Sequence, residues 1–308
     1  MSIVKLNEVL VAADKGKYGV GAFNTLNIEM TKGIIQAAEE EKSPVIIQIA
    51  ELLFPFMPDW EAVTAATLCM AKKAKVPVVV HLDHGMTFDN IVKAMYMGFS
   101  GVMIDGSHLS FDENVKQTQE IVKIAHVLGI PVEAELGTVP GEEGVYSAQV
   151  TIMTDVDLAA KYIELTNCDA LAVCIGNAHG NYIKTPKLDL TRLEEIKRVS
   201  ANVPLVLHGG SGLTDDDFRK CIKLGISKVN IFTDLCNSSL GKLNALMLRS
   251  SVMQCQPNIL SDERLKDTHV SEVKPKEVSY PQVMSETIEA VKSEAIKKIR
   301  LFGSSDKA

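Results

Sequence analysis

Short hydrophobic runs alternate with longer amphipathic segments along most of this 308-residue chain. The runs are five to seven residues long and rich in valine and isoleucine, as is typical of parallel strands that are buried on both faces. They occupy residues 18–23, 44–49, 76–82, 101–105, 131–136, 169–175, 204–208 and 228–233. The pattern therefore predicts eight strands.

The segments between these runs repeat hydrophobic residues at the spacing of an amphipathic helix, as Met30, Ile34, Ile35 and Ala38 do within residues 28–41. Similar patterns predict helices over residues 114–128, 155–165, 188–199 and 215–224, and a helical tail over residues 283–301. Consecutive strand–helix units favour a closed parallel barrel, with an open, doubly wound sheet as the alternative. We therefore predict an α/β fold, a single (β/α)₈ TIM barrel with a C-terminal helical extension.

Two segments interrupt this alternation. Residues 137–153 contain glycine and proline and form a long connection, which we interpret as a mobile loop over the mouth of the barrel. Residues 252–280 are polar and mixed in composition, and we interpret them as an excursion at the surface. We therefore expect residues 1–251 to form the catalytic barrel, and residues 252–308 to add a polar excursion and helical tail to the same domain.

The composition is that of a globular protein with a large core, since 46% of the residues are hydrophobic and 23% are charged. The net charge of −7 leaves no basic excess to neutralise phosphate groups, which disfavours binding to nucleic acids or membrane surfaces. Neither a signal peptide nor a membrane-spanning hydrophobic run is evident. The scattered cysteines form no CxxC pair, so we expect reduced cysteines and a cytoplasmic location.

Polar side chains stand at or near the C-terminal end of almost every predicted strand, which is where TIM barrels carry their active sites. They are Asn24, Gln48, Asp83, His84, Asp105, Glu133, Glu135, His179, His208 and Asn230. These residues are far apart in sequence, but closure of the barrel would bring them to one mouth.

Three histidines stand at or after the ends of predicted strands: His84 in HLDHG, His179 in GNAHG and His208 in VLHGGSG. Three neutral imidazoles with one open position make a workable catalytic zinc site. A lone histidine is more often structural, but three at strand ends favour a metal. We exclude His81 because it lies within the third strand.

Carboxylates accompany these histidines. Asp83 directly precedes His84 and could carry a proton to or from a substrate oxygen. Asp105 and Glu135 end the next two strands. They would either orient the metal ligands or form a second, weaker cation position.

A glycine-rich turn follows the seventh strand, and a polar segment ends the eighth. TIM barrels frequently bind phosphate with the loops after these two strands. The turn contains Gly209, Gly210 and Ser211, and the segment contains Asn230, Ile231, Phe232 and Thr233. Together they predict an anion site.

On these motifs the chain resembles the class II fructose-bisphosphate/tagatose-bisphosphate aldolases. The segments HLDHG, MIDGSH, VEAELGT, GNAHG, VLHGGSG and KVNIFTD stand in the order and spacing of that family. The resemblance implies a cytoplasmic, homodimeric or homotetrameric lyase of carbohydrate metabolism, such as glycolysis. It would reversibly cleave a ketose phosphate to dihydroxyacetone phosphate and an aldehyde, through an enediolate stabilised by Zn²⁺ and without a Schiff-base lysine.

The resemblance also assigns roles to residues. It implies zinc ligation by His84, His179 and His208, and an alternative metal position at Asp105 and Glu135. It implies that Asp83 exchanges a proton with the substrate hydroxyl, that Glu143 removes the C–H proton, and that Asn24 contacts the enediolate. Binding of dihydroxyacetone phosphate, with a monovalent cation (Na⁺ or K⁺) nearby, falls to Gly180, Gly209, Gly210, Ser211, Asn230, Ile231, Phe232 and Thr233.

The chain departs from the family at two positions that concern the distal phosphate. Bisphosphate-cleaving relatives usually carry a serine where this chain has Ala50, and a Pro-Arg pair where it has Pro281 and Gln282. Glutamine cannot supply the charged, bidentate grip of arginine. We therefore expect a ketose 1-phosphate whose distal end lacks phosphate or bears a different group. The apolar residues expected to line that end of the pocket are Leu52, Leu53, Phe54, Phe56 and Met57. Ordinary bisphosphate cleavage stays equally open.

Two other functions are weighed against an aldolase. The first is a catalytically idle, zinc-binding family member with a regulatory role, which the retention of Asp83, Glu143 and the histidines disfavours. The second is metal-dependent hydrolysis, which needs no phosphate loop. The intact glycine-rich turn disfavours hydrolysis.

Overall fold

Eight parallel strands close into a barrel in the computed structural model of the chain. The structure describes residues 2–143, 146–148, 151–180, 186–255 and 278–308, and of residues 142–143, 146–148 and 249–255 it describes the main chain alone. The barrel strands are β1 (Val20–Asn24), β2 (Val45–Ala50), β3 (Val78–Gly85), β4 (Gly101–Ile104), β5 (Val132–Leu136), β8 (Ala170–Val173), β9 (Leu205–Leu207) and β10 (Ile226–Ile231). They follow one another around the barrel in chain order, and β10 closes it against β1.

Helices surround the barrel and connect its strands. They are α1 (Leu6–Gly16), α2 (Ile28–Glu40), α3 (Trp60–Ala71), α4 (Phe88–Met97), α5 (Phe111–Val127), α6 (Val156–Thr166), α7 (Leu190–Val199), α8 (Asp215–Lys223), α9 (Thr233–Cys255) and α10 (Tyr280–Phe302), with a short 3₁₀ helix at Glu51–Phe56. Many begin at a side chain that accepts a hydrogen bond from the first turn, as Asn27, Thr87 and Ser110 do. None of the helices in the described part is long and hydrophobic enough to cross a bilayer.

The predicted TIM barrel is confirmed, and every predicted hydrophobic run overlaps one barrel strand. The predicted helices appear as α2, α5, α6, α7, α8 and α10, with ends shifted by a few residues. The sequence pattern did not predict α1, α3, α4 or α9. In α3 the alanines and threonines leave no clear polar face, so its helical period is weak.

The connection over residues 137–153, predicted as a loop, contains a short antiparallel hairpin. Its strands are β6 (Gly141–Glu143) and β7 (Tyr146–Ala148), and Thr138 pairs with Ile152 at its base. Gly141 also pairs with His179, so the hairpin is attached to the C-terminal mouth of the barrel.

Helix α1 closes the opposite, N-terminal end of the barrel. Leu6, Val9, Leu10 and Ala13 on this helix pack in one buried cluster with inward-facing strand residues. Those strand residues are Val20, Ala22, Ile46, Val79, Ala170, Ala172 and Val206. A second, larger cluster lies between the strands and the outer helices.

The C-terminal helix α10 packs against the barrel. Val291, Ala295, Ile299 and Phe302 on α10 are buried in the larger cluster. The predicted boundary at residues 251/252 falls inside α9, which continues to Cys255. The remaining residues of the predicted polar excursion, 256–277, lie outside the described part of the chain.

Candidate active site

A kink at the end of β3 turns two consecutive side chains towards the same space. In a regular strand, Asp83 and His84 would point to opposite faces. His84 has a φ of 43°, in the left-handed region, and the pairing of β3 with β4 shifts register between Leu82 and Gly85. A left-handed residue other than glycine is strained, and such strain concentrates at functional sites.

The structure brings the three predicted histidines together. His84, His179 and His208 are buried, and each offers a ring nitrogen within 4.8 Å of the others. Nε2 of His84 lies 3.0 Å from Nδ1 of His208. Asn177 Nδ2 donates a hydrogen bond to the carbonyl of His208 (2.9 Å), which joins the segments that carry His179 and His208.

In two of these rings, one nitrogen lies within hydrogen-bond distance of a carboxylate. Nδ1 of His84 lies 2.7 Å from Oδ2 of Asp105, and Nε2 of His208 lies 2.9 Å from Oε1 of Glu133. A carboxylate that accepts from one ring nitrogen fixes the tautomer and leaves the other nitrogen free to bind a metal. The available nitrogens are therefore Nε2 of His84 and Nδ1 of His208, which face each other.

The charges around His84 fit a bound cation. Burial disfavours the protonated ring and so lowers the pKa of His84. The negative charges of Asp83 and Asp105 have the larger, opposite effect, and the pKa of His84 is raised well above its usual value. Burial and repulsion from Asp105 raise the pKa of Glu135 well above its usual value, and its buried Oε2 has no hydrogen-bond partner. His84, Asp105 and Glu135 form a second group of potential ligands. Both predicted ligand sets are thus brought together.

A buried ion pair beneath the histidines had no role in the sequence prediction. Nζ of Lys228 lies 3.0 Å and 2.8 Å from the two oxygens of Glu133, and His81 Nε2 lies 3.3 Å from Oε2. Burial opposes ionisation of Glu133, but Lys228 and His208 hold the pKa of this carboxyl well below its usual value. The sequence shows a lysine within the hydrophobic run of β10, but it does not show which residue is the partner of that lysine.

Asp83 lies in a network of amide side chains. Asn24 Nδ2 donates to its Oδ2 (2.8 Å) and Asn230 Nδ2 to its Oδ1 (3.0 Å), while Gln48 Nε2 donates to Asn24 Oδ1 (2.9 Å). Burial opposes ionisation, but the charges of His84 and Lys228 and the bond from Asn24 lower the pKa of Asp83. The carboxylate is therefore ionised and fixed in orientation beside the histidines.

A pocket opens beside the histidines and contains most of the predicted substrate-binding residues. Its lining consists of Asn24, His179, Gly180, Gly209, Gly210, Ser211, Asn230, Phe232 and Thr233. Ile231 does not line it, because its side chain is buried in the core. Helix α9 begins at Thr233, and the main-chain N–H groups of a helix start attract anions.

Glycine is required where the turn of this pocket crosses the segment before His179. Gly209 has a φ of 61°, and a Cβ on it would lie 2.1 Å from the carbonyl oxygen of Ala178. Gly141 is in a similar position, since its Cβ would lie 2.3 Å from the carbonyl oxygen of His179. These close approaches hold the glycine-rich turn and the β6–β7 hairpin against the histidine.

Glu143, the predicted C–H acid/base, is the last residue of β6. The main chain of this strand is joined to the histidine segment, where His179 N–H donates to the carbonyl of Pro140 (2.7 Å). The side chain of Glu143 lies outside the described part of the chain.

The end of β2 offers no free polar group at the position where relatives usually carry a serine. Ala50 is fully buried. The carboxylate of the next residue, Glu51, is already hydrogen-bonded to residues around the start of α4. Its carboxylate accepts from the N–H groups of Met86 and Thr87 and from Asn90 Nδ2. Gln282 lies half-buried in the first turn of α10.

Only part of the expected apolar lining near β2 faces outwards. Phe54 stacks on Trp60 with ring centroids 4.2 Å apart, and Phe56 is 59% exposed. Leu52, Leu53 and Met57, expected beside the distal end of the substrate, are buried.

Fold and site together define a class of protein: a TIM barrel with a histidine-lined candidate metal centre beside a candidate anion pocket. The family model described as "Fructose-bisphosphate aldolase class-II" matches residues 4–307. The chain therefore belongs to the class II fructose-bisphosphate aldolase family, whose members are metal-dependent aldehyde lyases.

Relatives and solved structures agree with this membership. The chain is 38% identical to the "Probable fructose-bisphosphate aldolase" of Bacillus subtilis over all of both chains. It is 42% identical to the "6-phospho-5-dehydro-2-deoxy-D-gluconate aldolase" of Halalkalibacterium halodurans, covering 76% of this chain and 81% of that one. The crystal structure of the YdjI aldolase from Escherichia coli K12 superposes with a TM-score of 0.79 at 35% identity, covering 99% of each chain.

Proposed function

We propose that this protein is a metal-dependent aldolase that reversibly cleaves a ketose phosphate to dihydroxyacetone phosphate and an aldehyde. The observation that carries the proposal is the convergence of His84, His179 and His208 beside the anion pocket. Hydrolysis would not need that pocket. The membership in an aldolase family supports the same reaction class.

The metal is proposed to be Zn²⁺, held by the three histidines, because three neutral imidazoles with an open position suit this ion. When bound, the ion supplies a Lewis acid that withdraws electrons from the substrate carbonyl. Asp105 and Glu135 orient His84 or offer the alternative position for the ion.

Asp83 is proposed to exchange a proton with the substrate hydroxyl at the carbon–carbon bond that breaks. Its ionised carboxylate, held by Asn24 and Asn230, can accept that proton in the cleavage direction and return it in the condensation direction. Glu143 is proposed to exchange the C–H proton of the triose phosphate, as the family resemblance implies. Asn24, which also lines the pocket, is proposed to contact the enediolate.

The phosphate of the triose is proposed to bind in the anion pocket. The glycine-rich turn lets main-chain N–H groups approach a ligand closely, and the start of α9 adds the positive end of its helix dipole. No lysine or arginine lines this pocket among the described residues, so main-chain donors would supply most of the contacts.

The substrate is proposed to be a ketose 1-phosphate whose distal end carries no phosphate. Ala50 and Gln282 supply no cation, and Glu51 is an anion whose oxygens are already occupied by the start of α4. Neither position therefore offers a second phosphate the charged partner that arginine supplies.

Aldol cleavage across a panel of phosphorylated ketoses tests the proposal, with dihydroxyacetone phosphate as the detected product. We expect cleavage that a chelator abolishes and Zn²⁺ restores, and faster turnover of a ketose 1-phosphate than of fructose 1,6-bisphosphate. The reverse ranking would overturn the proposed substrate but keep the reaction. The absence of triose phosphate from every panel member, in protein that carries zinc, would instead favour a catalytically idle, regulatory metal-binding protein.

Substitution of Asp83 separates catalysis from metal binding. We expect Asp83→Asn to lower kcat about 10²–10⁴-fold, because a positioned acid/base group contributes that much. The zinc content, measured by elemental analysis, should stay that of the unmodified protein. Full activity in this variant would remove Asp83 from the proposed mechanism.

A further inference from the structure

A shielded ion pair links the C-terminal helix to the start of α9. Nζ of Lys298, on α10, lies 2.5 Å from Oδ2 of Asp234, and the two side chains are 10% and 19% exposed. An ion pair with so little contact with water is screened less by salt than pairs at the surface. The charges of these two residues therefore act on their surroundings more strongly than surface charges do.

Asp234 stands directly behind the wall of the anion pocket. It follows Thr233, which lines the pocket, and its N–H donates to Oγ of Ser211, another lining residue (3.2 Å). An acidic residue therefore adjoins the lining of the pocket in which a phosphate is proposed to bind. An uncompensated carboxylate there would repel a phosphate dianion.

The surroundings of Lys298 make it the partner of this carboxylate. Its Nζ also lies 3.8 Å from Oε1 of Glu294 and 5.1 Å from the centroid of the Phe218 ring, which packs beneath it. Glu294 has a second cation, since Nζ of Lys297 lies 2.9 Å from its Oε2. Within the described residues, Asp234 forms its ion pair with Lys298.

We propose that Lys298 is a positioning residue for substrate binding: it neutralises Asp234 and so allows the pocket to accept a doubly charged phosphate. The inference rests on the proposed binding of a triose phosphate in this pocket. Lys298 does not line the pocket. It acts through Asp234, and it makes the C-terminal helix a participant in substrate recognition.

A set of charge variants tests this role, with dihydroxyacetone phosphate as the probe in a calorimetric binding titration. We expect Lys298→Met to weaken binding about tenfold, the size expected for one uncompensated charge at roughly 10 Å in partly screened surroundings. Asp234→Asn should bind the probe as tightly as the unmodified protein or more tightly. The double variant, which has neither charge, should recover most of the lost affinity.

Steady-state kinetics and two control variants complete the test. Lys298→Met should raise KM for the phosphorylated ketose while kcat changes little, because the pair lies behind the phosphate and not at the reacting carbons. Lys298→Arg should keep the affinity. Lys297→Met, one position away with its side chain 71% exposed, should bind the probe as the unmodified protein does.

The pattern of affinities decides between charge and structure. If the double variant binds as weakly as Lys298→Met, or if Asp234→Asn is weakened equally, the pair only holds α9 and α10 together and the proposal fails. Unchanged affinity in Lys298→Met would also overturn it. If the unmodified protein does not bind the probe, the proposed phosphate site fails first, and the inference fails with it.

Discussion

At the scale of single residues, the histidine cluster is defined by the carboxylates around it. His84 lies among Asp83, Asp105 and Glu135, whereas His208 faces Glu133, whose charge Lys228 neutralises. The two rings therefore differ: carboxylates raise the pKa of His84, while burial and the charge of His84 lower the pKa of His208 to about 4. One ring of the metal-free site carries a proton at neutral pH, and its neighbour does not.

This difference predicts how metal binding depends on pH. A metal ion binds neutral imidazole, so the proton on His84 has to leave when the ion enters. We expect the affinity for Zn²⁺ to rise with pH near neutrality, by up to about tenfold for each pH unit while the pH stays below the raised pKa of His84, as one proton is released. His208 is already neutral in this range and adds no further slope. Competition with a chelator at several pH values measures the effect, and an affinity independent of pH would contradict it.

The buried Lys228–Glu133 pair predicts a large effect on stability. Lys228→Met leaves a fully buried carboxylate without its cation, which we expect to lower the free energy of unfolding by about 3–5 kcal/mol. The double variant Glu133→Gln/Lys228→Met leaves no buried charge at this pair and should recover much of the loss. Urea unfolding measures both.

An exposed ion pair provides the control for that comparison. Lys220 and Asp216 on α8 have side chains that are 52% and 68% exposed. We expect Lys220→Met to change the free energy of unfolding far less than Lys228→Met does, because water screens an exposed pair. Equal losses in Lys220→Met and Lys228→Met would show that burial of the inner pair has no consequence for stability.

At the scale of secondary-structure elements, the end of β3 is tightly constrained by its packing. A Cβ on Gly85 would lie 2.3 Å from the carbonyl oxygen of Met103 and 2.6 Å from Cγ1 of Ile91. The strand can therefore follow its kinked path only with glycine next to His84.

This constraint predicts the effect of Gly85→Ala. The added methyl group would push β3 away from β4, and we expect a loss of about 1–3 kcal/mol in the free energy of unfolding. The affinity for Zn²⁺ should fall as well, because His84 moves with the strand. Gly241→Ala is the matched control, since it lies within α9 with no atom near its added Cβ and should stabilise the helix by about 0.5–1 kcal/mol. Normal metal affinity in Gly85→Ala would contradict the role of the kink.

The elements also show what the sequence could and could not predict. Doubly buried strands were recognisable because short, continuous hydrophobic runs such as residues 76–82 are typical of parallel strands that are covered on both faces. The convergence of His84, His179 and His208 followed from their places at strand ends. The left-handed conformation of His84 and the pairing of Lys228 with Glu133 were not predictable, because both depend on contacts between strands that are distant in sequence.

At the scale of the whole molecule, the C-terminal helix shares the hydrophobic core of the barrel. Its buried side chains include Val291, Ala295, Ile299 and Phe302, and Gly19 N–H donates to the carbonyl of Phe302 (2.9 Å) at the entrance of β1. Arg300 makes two hydrogen bonds to Glu41 at the end of α2. The tail is thus connected to the first strand and the first outer helix.

These contacts predict a single unfolding transition for barrel and tail. Trp60, the one tryptophan of the chain, lies on α3 and reports on the barrel, while far-ultraviolet circular dichroism reports on all helices. We expect the two measurements to give the same midpoint in urea. Removal of residues 280–308 should prevent folding, because it exposes the core beneath α10. Two separate transitions would show that the tail is an independent unit.

The position of helix α1 has a consequence for isotope exchange. The helix covers the N-terminal end of the barrel, and the histidine cluster covers the C-terminal end above the Lys228–Glu133 pair. The surrounding strands form a closed wall, so the ammonium protons of Lys228 can be replaced by deuterium only when the barrel itself opens. The exchange rate of this ammonium group would therefore measure how often the barrel opens. If a metal ion bound at the histidines slowed this exchange, the ion would stabilise the whole eight-stranded barrel against opening.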